Sequence, residues 1–412
     1  MKSSASKKSG AEASQESRGR PLADSVLELI WRQREISRAE IARRTGLSRS
    51  TVSDIVSKLL PSGLISEVGD GPSRGGRRPV ILRFQDDAHV ILGVDMGASH
   101  VSACLTDLRG EVFAWHHKDH PVRTDPVGTE ALILDLCEEC LKSRKGARKA
   151  LLGIGLAVPA PVDPQAPERL SGVVLPSWQG HSGMGGLFED YGVPVFVDND
   201  ANLGAVAEYW WGAGMGVENF AYIKLATGIG SGHMVRGSVY RGATGVAGEI
   251  GHISIDPRGA LCVCGNRGCL ATYVGSQELA ARAEELLPEF PESTLAKVDI
   301  TVTAIEDAAL AGDPLALKVV EEAALYLGIV IAGVLNLMNP PMVILGGGLS
   351  RLDELLLNPL RETVLRRTLV TSIAASEIRT SHFGPKGIAI GAATYVLQNA
   401  LENPSLFPGV KQ

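Results

Sequence analysis

Residues 248–269 of this chain read GEIGHISIDPRGALCVCGNRGC. This stretch places a histidine and three cysteines at intervals of ten, two and five residues: His252, Cys262, Cys264 and Cys269. One imidazole and three thiols in a glycine-rich loop form the Cys₃His ligand set of a closed tetrahedral zinc site. Because protein fills all four positions, we predict one structural zinc ion per chain, and three incidental cysteines with a core histidine are the less favoured alternative.

The remaining cysteines and the apolar runs bear on the cellular compartment. Six cysteines in 412 residues are too few for a disulfide scaffold, so we expect reduced thiols. Cys137 and Cys140 fall on a predicted helix without nearby partners and are weak candidates for a metal or redox pair. The apolar run at 327–338 is too short to cross a bilayer, and residues 1–20 lack a signal-peptide core. We therefore expect a cytoplasmic protein that binds no membrane.

Apolar runs on both sides of the cysteine-rich loop end in glycine or in a polar residue. They are VILGVDMG (90–97), LLGIGLAVPA (151–160), VPVFVDND (193–200), NFAYIKLATGIGSG (219–232) and PMVILGGGLS (341–350). Helical stretches lie between them, and this alternation is typical of an α/β domain that binds ligands at the carboxyl ends of its strands. The length of the region predicts two lobes with a cleft, in which the strands near Asp95 and Gly346 are equivalent.

Two of these strand ends carry candidate binding residues. Asp95, Gly97 and Ser99 lie in a turn whose amides and hydroxyl can hold phosphate oxygens, although an ordinary strand connection has the same pattern. In VDNDAN, Asn199 and Asp200 place an amide beside a carboxylate, which suits adjacent sugar hydroxyls and would let the carboxylate act as a base. The alternative at VDNDAN is an Asx turn that caps a helix.

Charge is distributed unevenly along the chain. Residues 1–85 contain 16 Lys and Arg against 9 Asp and Glu, a net charge of +7, and the other residues carry −13, which gives the overall −6. Residues 1–20 have no apolar run and are predicted to be a disordered tail. A basic N-terminal region favours an anionic partner.

Residues 21–60 fit three helices in a helix-turn-helix arrangement. Gly46 supplies the tight turn before the third helix, and Ser48 can cap that helix. A third helix that follows such a turn is the one that enters the major groove of DNA. Here it offers small or cationic side chains for contacts with phosphates and base edges: Arg49, Ser50, Thr51 and Ser53.

Two short strands, at 64–68 and 79–84, follow the helices and are joined by a glycine-rich tip. The tip carries Arg74, Arg77 and Arg78, whose guanidinium groups can reach a phosphate backbone or a narrow minor groove. The whole unit is typical of a winged helix-turn-helix, and we predict double-stranded DNA as its partner. The alternative is a small helical interaction domain with an ordinary charged surface.

Together these motifs resemble the ROK family, named for repressors, open reading frames and kinases, and specifically its winged-helix regulators of sugar metabolism. The resemblance extends over residues 21–400, where DMGAS resembles the family's phosphate loop, VDNDAN its sugar motif, and GVAGEIGH with CVCGNRGCL its signature and zinc loop. It implies an α/β fold of the two-lobed actin-like ATPase and sugar kinase type. It also implies that His252 holds zinc through one ring nitrogen and faces the ligand with the other. The residues that the resemblance assigns to a sugar or sugar derivative are Asn199, Asp200, Glu249 and His252.

Two positions depart from the kinases of that family. Ala271 stands where the family usually has a glutamate that bonds the sugar, and Ala98 with Ser99 replaces Gly-Thr in the phosphate loop. Both changes argue against phosphoryl transfer, because the site loses a charged acceptor and an added Cβ crowds a phosphate. We expect no enzyme activity and no nucleotide, with Asp95, Gly97 and Ser99 as a vestigial phosphate loop.

The sequence therefore predicts a transcriptional regulator, a repressor of carbohydrate genes, that acts as a homodimer or a dimer of dimers. The expected domains are a winged helix-turn-helix at 21–85 and a ROK sugar-sensing domain at 88–405, with its zinc loop at 252–269. The main alternative is a sugar kinase that transfers the γ-phosphate of ATP to a hexose with Asp200 as the base. A regulator that responds to a protein partner is a third possibility.

Overall fold

The computed structural model describes residues 22–70, 79–167, 170, 172, 174–178, 184, 186–368 and 376–410. Its helices are α1 (Leu22–Gln33), α2 (Arg38–Thr45), α3 (Arg49–Leu59), α4 (Pro126–Lys142), α5 (Ala147–Ala150), α6 (Asp200–Trp211), α7 (Ala271–Val274), α8 (Ser276–Leu286), α9 (Val302–Leu310), α10 (Pro314–Met338), α11 (Glu354–Arg367) and α12 (Gly387–Glu402). Its strands are β1 (Glu35–Ser37), β2 (Ile65–Asp70), β3 (Val80–Phe84), β4 (Val90–Met96), β5 (His100–Thr106), β6 (Val112–Asp119), β7 (Leu151–Val158), β8 (Val195–Asn199), β9 (Phe220–Leu225), β10 (Ile229–Val235), β11 (Ser238–Val239), β12 (Met342–Gly347) and β13 (Glu377–Thr380). Within these ranges, no helix has both the length and the apolar character to cross a bilayer.

The N-terminal unit is a winged helix-turn-helix, as predicted. The Ser37 hydroxyl accepts a hydrogen bond from the Glu40 amide at 3.2 Å and so caps α2. The Ser48 hydroxyl caps α3 in the same way, through the Thr51 amide at 3.1 Å. Between them Gly46 adopts a φ of 73°, a left-handed conformation that glycine reaches without strain. These local signals turn the chain sharply and set α3 on the surface of the unit.

The wing of this unit contains one strand that the sequence did not predict. β1 pairs antiparallel with β3, which also pairs with β2, so that the sheet has the order β1-β3-β2. A three-residue strand is too short for its hydrophobic alternation to stand out in the sequence. The predicted tip of the wing, with Arg74, Arg77 and Arg78, lies outside the described residues.

Two five-stranded sheets form the two predicted lobes. The first has the order β6-β5-β4-β7-β8, and the second has the order β11-β10-β9-β12-β13. In each sheet a central strand, β4 or β9, pairs antiparallel on one side and parallel on the other. The expectation that the strands near Asp95 and Gly346 are equivalent is therefore wrong. β12 corresponds to β7, and β9 corresponds to β4, because strand pairing, which glycine-rich endings do not reveal, sets the equivalence.

Helix α6 passes between the two lobes. It follows β8 of the first sheet, precedes β9 of the second and packs against α12. The contact with α12 is a close approach of backbones, because a Cβ at Gly391 would overlap the carbonyl group of Leu203. The first residues of α6 therefore lie at the cleft, where the carboxyl ends of the strands meet.

Candidate effector and metal site

The four predicted metal ligands come together in the loop after β11. The ligand atoms of His252, Cys262, Cys264 and Cys269 all lie within 4.8 Å of one another. His252 Nδ1 is 3.4 Å from Cys262 Sγ, and the sulfur atoms of Cys264 and Cys269 are 3.6 Å apart. A tetrahedral zinc ion with Zn–S bonds of about 2.3 Å places its ligand atoms roughly 3.5–3.8 Å apart. The donor set and the spacing therefore both fit zinc.

Glycines in the loop allow the cysteines to converge. Gly265 has a φ of 86° and Gly268 a φ of 62°, both in the left-handed region. A Cβ at Gly268 would also overlap the backbone of Asp256, so this position needs glycine for space as well. An isolated antiparallel bridge between Ser254 and Cys269 closes the loop at its base.

His252 connects the metal cluster to a cavity between the lobes. Its Nδ1 faces the thiols, and its Nε2 lies 3.8 Å from Oε2 of Glu249, which lines the cavity. Burial and the charge of Arg123 lower the pKa of His252, which favours the neutral ring that binds a metal. A metal on Nδ1 leaves the proton on Nε2, so that the imidazole presents a hydrogen-bond donor to the cavity.

Asn199 lies at the junction of β8 and α6, on the wall of the same cavity. Its side-chain oxygen accepts hydrogen bonds from the amides of Ala201 at 3.0 Å and Asn202 at 3.3 Å, which caps α6. Its amide nitrogen donates to the carbonyl of Ala160 at 3.2 Å. The capping alternative therefore describes what the Asn199 side chain does here, and this role does not remove the residue from the cavity.

Asp200 is held by Lys224, a residue to which no sequence motif pointed. Asp200 is 3% exposed and Lys224 is 7% exposed, and the lysine ammonium donates to the aspartate carboxylate across the cleft. Burial raises the pKa of Asp200, an effect that the Lys224 charge opposes without cancelling. The Lys224 ammonium occupies one oxygen of the Asp200 carboxylate, so an incoming hydroxyl group has to share that carboxylate with Lys224 or displace it.

Glu249 adds a carboxyl group with intermediate acidity. It is half-buried, and burial together with the negative charge of Asp200 raises the pKa of Glu249 to about 7, against the opposing effect of Lys224. At neutral pH the group is therefore present both as acid and as carboxylate, and it can donate or accept a hydrogen bond. Either form suits the hydroxyl group of a carbohydrate.

The cavity has a volume of about 170 Å³ and combines these polar groups with apolar walls. Pro159, Pro161 and Val174 line it from the first lobe, and Leu261 and Val263 line it from the cysteine-rich loop. A site with a few convergent polar groups between apolar walls is typical of small-molecule binding. Its lining also includes Ala98, Arg123 and Ala271.

The predicted phosphate turn after β4 is covered by His100. Asp95 is 1% exposed, and its Oδ2 lies 3.1 Å from His100 Nε2. Burial opposes a charge on His100, but the Asp95 carboxylate outweighs it and raises the pKa of His100. The imidazole ring packs so closely on Gly97 that a Cβ there would overlap it. Ser99 Oγ lies 3.2 Å from Thr227 Oγ1 of the second lobe, so the turn is bonded across the cleft.

The predicted DNA-contacting residues lie at the start of α3. Arg49, Ser50 and Ser53 are exposed, whereas Thr51 is half-buried with its hydroxyl 2.8 Å from that of Ser48. Arg49 forms no ion pair with any residue in the described part of the chain. Its guanidinium is thus available to an anionic partner.

Neighbouring arginines on α2 are engaged within the protein. Glu40 lies 2.6 Å from Arg43 and 2.7 Å from Arg44, and hydrogen bonds from these two arginines lower the pKa of Glu40 to about 2. Glu40 carries one negative charge against two guanidinium groups, so this cluster keeps a net charge of +1, but both arginines are already engaged in hydrogen bonds. Arg43 is therefore a useful comparison for Arg49.

The cysteines on α4 are not suited to metal or redox chemistry. Cys137 and Cys140 are both buried, and burial raises the pKa of Cys140 to about 12 and that of Cys137 well above its ordinary value. A thiol needs its thiolate form to bind metal or to react, so these two groups act as small apolar side chains.

Comparisons with known proteins follow the same division of the chain. A model described as the ROK family matches residues 91–399, and one described as winged helix-turn-helix DNA-binding matches residues 25–66. This chain belongs to the ROK family. The predicted fold, a winged helix-turn-helix followed by a two-lobed ROK domain, is thereby confirmed.

Similar ROK proteins include both regulators and kinases. The xylose repressor of Caldicellulosiruptor bescii is 32% identical over 387 residues, which are 92% of this chain and 96% of that protein. The solved structure of a ROK family transcriptional regulator, a homolog of the E. coli MLC protein, has 28% identity and a TM-score of 0.76, and covers 94% of this chain and 98% of its own. A ROK family glucokinase from Streptomyces griseus, solved with glucose and AMPPNP, has 29% identity and a TM-score of 0.66, and covers 75% of this chain and 99% of its own.

Three residues that lie in the cavity or beside the phosphate turn were not predicted from the sequence: Lys224, His100 and Arg123. Lys224 interrupts the apolar run FAYIKLATG, so a charged residue near the end of a central strand was visible. His100 directly follows DMGAS and could have been noticed for that reason. Arg123, whose Nε is buried with no hydrogen-bond partner among the described residues, stands in no recognisable motif.

Proposed function

We propose that this protein is a transcriptional repressor of carbohydrate genes. Its winged helix-turn-helix binds operator DNA, and its ROK domain binds a sugar or sugar derivative as effector. One observation carries this proposal: the similarity to the xylose repressor extends over 92% of the chain, and so includes the DNA-binding unit as well as the ROK domain. The proposed domains are 21–85 for DNA binding and 88–405 for effector binding.

The exposed face of α3 supports the DNA-binding half of the proposal. Arg49, Ser50 and Ser53 are accessible at the amino-terminal end of the helix, where recognition helices contact base edges. Thr51 stands beside them, and the wing arginines add phosphate contacts: Arg74, Arg77 and Arg78. Two copies of the chain would place two such helices on a palindromic operator in the cytoplasm, as a homodimer or a dimer of dimers.

The cavity supports the effector-binding half. Asp200 and Glu249 offer acceptors, and His252 Nε2 and the second amide hydrogen of Asn199 offer donors, around a space with apolar walls. Sugars present hydroxyl groups and C–H surfaces together, which such a lining matches. We assign one structural zinc ion per chain to His252 and the three cysteines of its loop, where the metal fixes the imidazole that faces the effector.

A sugar kinase is the second candidate, favoured by the likeness to a glucokinase and by Asp200 at the position of the base. The residues in the cleft favour the repressor instead. Lys224 holds the Asp200 carboxylate, and His100 covers Gly97 in the phosphate turn. In this proposal Asp200 accepts a hydrogen bond from the effector, no nucleotide binds, and the turn with Asp95 and Ser99 is vestigial.

Fluorescence anisotropy tests the proposal. An operator duplex is first enriched from a random pool by the wild-type protein, and its Kd is then measured with and without D-xylose, D-glucose and their phosphates. We expect one of these compounds to change the Kd about tenfold or more, and Glu249→Ala to retain operator binding in the absence of sugar but to lose the change. Failure to enrich any duplex would refute the DNA-binding half.

The kinase alternative is tested with the same compounds in a coupled ATPase assay. We expect no sugar-dependent turnover by the wild-type protein. Turnover that disappears in Asp200→Asn would establish the kinase and overturn the assignment of Asp200 as a simple hydrogen-bond acceptor.

A further inference from the structure

Helix α6 runs from the cavity to the DNA-binding unit. Its first residue is Asp200, which lines the cavity, and its last residues, Trp210 and Trp211, contact the first helix of the winged helix-turn-helix. A helix of 12 residues is about 18 Å long, so one element joins the two functional regions of the protein.

The amino-terminal end of α6 is held by contacts that an effector would change. Lys224 binds the Asp200 carboxylate, and Asn199 caps the helix through its side-chain oxygen. A hydroxyl group that bonds Asp200 competes with Lys224 for the same carboxylate. Effector binding therefore alters the forces on the first turn of α6, which is the differential interaction that any ligand-driven change requires.

The middle of α6 is packed tightly on two sides. A Cβ at Gly204 would overlap the ring of Tyr222 in β9, and a Cβ at Gly391 in α12 would overlap the carbonyl of Leu203. Residues from Asp200 to Glu208 are all buried. Close-packed backbones of this kind do not bend locally without displacing their neighbours, so a shift at one end of the helix is transmitted to the other.

The carboxyl-terminal end of α6 forms an aromatic contact with α1. The ring of Trp31 lies 5.2 Å from that of Trp210 and 6.1 Å from that of Trp211. Trp31 is also fixed to the first lobe, since its Nε1 donates to the Leu108 carbonyl at 2.9 Å and the Arg109 guanidinium lies 4.5 Å from its ring centre. The contacts with Leu108 and Arg109 hold α1 in place, and a displacement of the two tryptophans would move α1 and, with it, α3.

We propose that Trp210 and Trp211 are positioning residues, through which a sugar in the cavity changes the placement of the DNA-binding unit. The inference rests on the proposed function, because it concerns how the effector acts on operator binding. The sugar displaces the first turn of α6, and the helix carries this displacement to the tryptophan pair. Helix α1 then changes its position, and the recognition helix α3 moves with it. The tryptophans contact neither sugar nor DNA.

Trp210→Ala tests the inference through the ratio of operator Kd values with and without D-xylose or D-glucose. We expect the variant to bind the operator alone, and the sugar alone, within about threefold of the wild type. The ratio, which the wild type changes about tenfold or more, should fall below about twofold, because the coupling between the sites is lost. Trp210→Phe, which keeps an aromatic ring against Trp31, should retain the coupling.

Tyr209→Ala is the matched control. Tyr209 precedes Trp210 on the same turn of α6, but its hydroxyl packs against Gly237 in the second lobe, and among the described residues the aromatic rings that meet Trp31 are those of Trp210 and Trp211. It should therefore keep the wild-type ratio, which shows that truncating an aromatic residue of α6 does not by itself uncouple the sites. A Trp210→Ala variant whose operator is released as effectively as that of the wild type would overturn the inference.

A second experiment tests the same inference without sugar, through a double-mutant cycle on operator affinity. Asp200→Asn removes the charge that Lys224 holds and perturbs the first turn directly. We expect this change to alter operator affinity in the wild-type background and to have less than about a twofold effect in the Trp210→Ala background. Equal effects in both backgrounds would refute the inference. If no sugar binds the wild-type protein while this cycle shows coupling, the effector assignment fails and the positioning role stands.

Discussion

At the residue scale, the ion pair between Lys224 and Asp200 places two charges in the interior of the protein. A buried ion pair is costly to form, because both charges leave water, and its net contribution to stability is small. Removing one partner has a larger effect, since it leaves an uncompensated charge in the interior. The pair of Lys224 with Asp200 is this kind of contact, as both side chains are less than a tenth exposed.

Lys224→Met should therefore destabilise the protein by about 3 kcal/mol, because Asp200 remains buried without its ammonium partner. The double variant Lys224→Met, Asp200→Asn should recover most of that loss. Urea unfolding of the wild type, both single variants and the double variant measures the interaction between the two positions. Additive effects of the two substitutions would contradict the ion pair.

Arg49 is an exposed arginine at the start of α3, and we expect its guanidinium to contact operator DNA. Arg49→Ala should weaken operator binding about tenfold or more and alter the preferred operator sequence if the guanidinium reaches a base edge. Arg43→Ala, which removes a guanidinium already paired with Glu40, should change affinity less than about threefold. The two variants are compared in anisotropy titrations over a range of salt concentrations. Equal losses would show that α3 has no special role.

At the scale of elements, the amino-terminal end of α10 depends on one carboxylate. Asp313 Oδ1 accepts hydrogen bonds from the amides of Leu315 and Ala316 at 3.0 and 3.2 Å. Its Oδ2 accepts from the Thr294 amide at 2.7 Å and the Thr294 hydroxyl at 2.9 Å. Burial opposes the charge on Asp313, but these hydrogen bonds outweigh it and lower its pKa. The carboxylate thus joins a 25-residue helix to the turn before α9.

Asp313→Asn should cost about 1–2 kcal/mol at pH 7, because an amide NH₂ replaces one acceptor that faces donors. The folded-state pKa of Asp313 lies below the unfolded value, so its stabilisation is complete above about pH 4 and is lost as the pH falls through the folded pKa. Urea unfolding from pH 7 to pH 3 should show the difference between wild type and variant shrinking in the acidic range. A constant difference would contradict the role of the charge.

At the scale of the whole molecule, the metal loop and the cleft form one unit. His252 belongs to both, since Nδ1 faces the thiols and Nε2 faces Glu249. The loop also supplies Leu261 and Val263 to the cavity wall. Loss of a metal ion from this loop would therefore release His252, which lines the cavity, and part of the cavity wall together.

Removal of zinc should lower the Tm of the protein and abolish its response to sugar. The double variant Cys262→Ala, Cys264→Ala should contain well under one zinc ion per chain by elemental analysis, because two of four ligands are missing. Cys137→Ala, which removes a buried cysteine outside the loop, is the control and should retain zinc. A loop variant that keeps the wild-type zinc content would contradict the metal assignment.

The division of the molecule into two parts explains why charge is distributed unevenly along the chain. The net charge of +7 in residues 1–85 coincides with the DNA-binding unit and its tail, whereas the rest of the chain, with −13, contains the ROK domain. The acidic part has no need to approach DNA and the basic part does. The overall charge of −6 hides this division.

Features that depend on neighbouring residues could be predicted well. The cap by Ser48, the turn at Gly46 and the convergence of the four candidate metal ligands depend on short stretches, where spacing along the chain fixes spacing in space. The short strand β1 could not be predicted, because its place in the sheet comes from β3, more than forty residues away. The equivalence of strands in the two lobes failed for the same reason, since strand pairing is a long-range property.

The sequence by itself determined the helix-turn-helix, the cluster of candidate metal ligands and the family, because each is encoded by residue types at fixed local intervals. Only the tertiary structure decided that Lys224 holds Asp200, that His100 covers Gly97, and that Trp210 meets Trp31. Apart from His100, these partners are far apart in the chain. They meet because the order of the strands and the path of α6 bring them together, and packing, which sums contacts from the whole molecule, selects that arrangement.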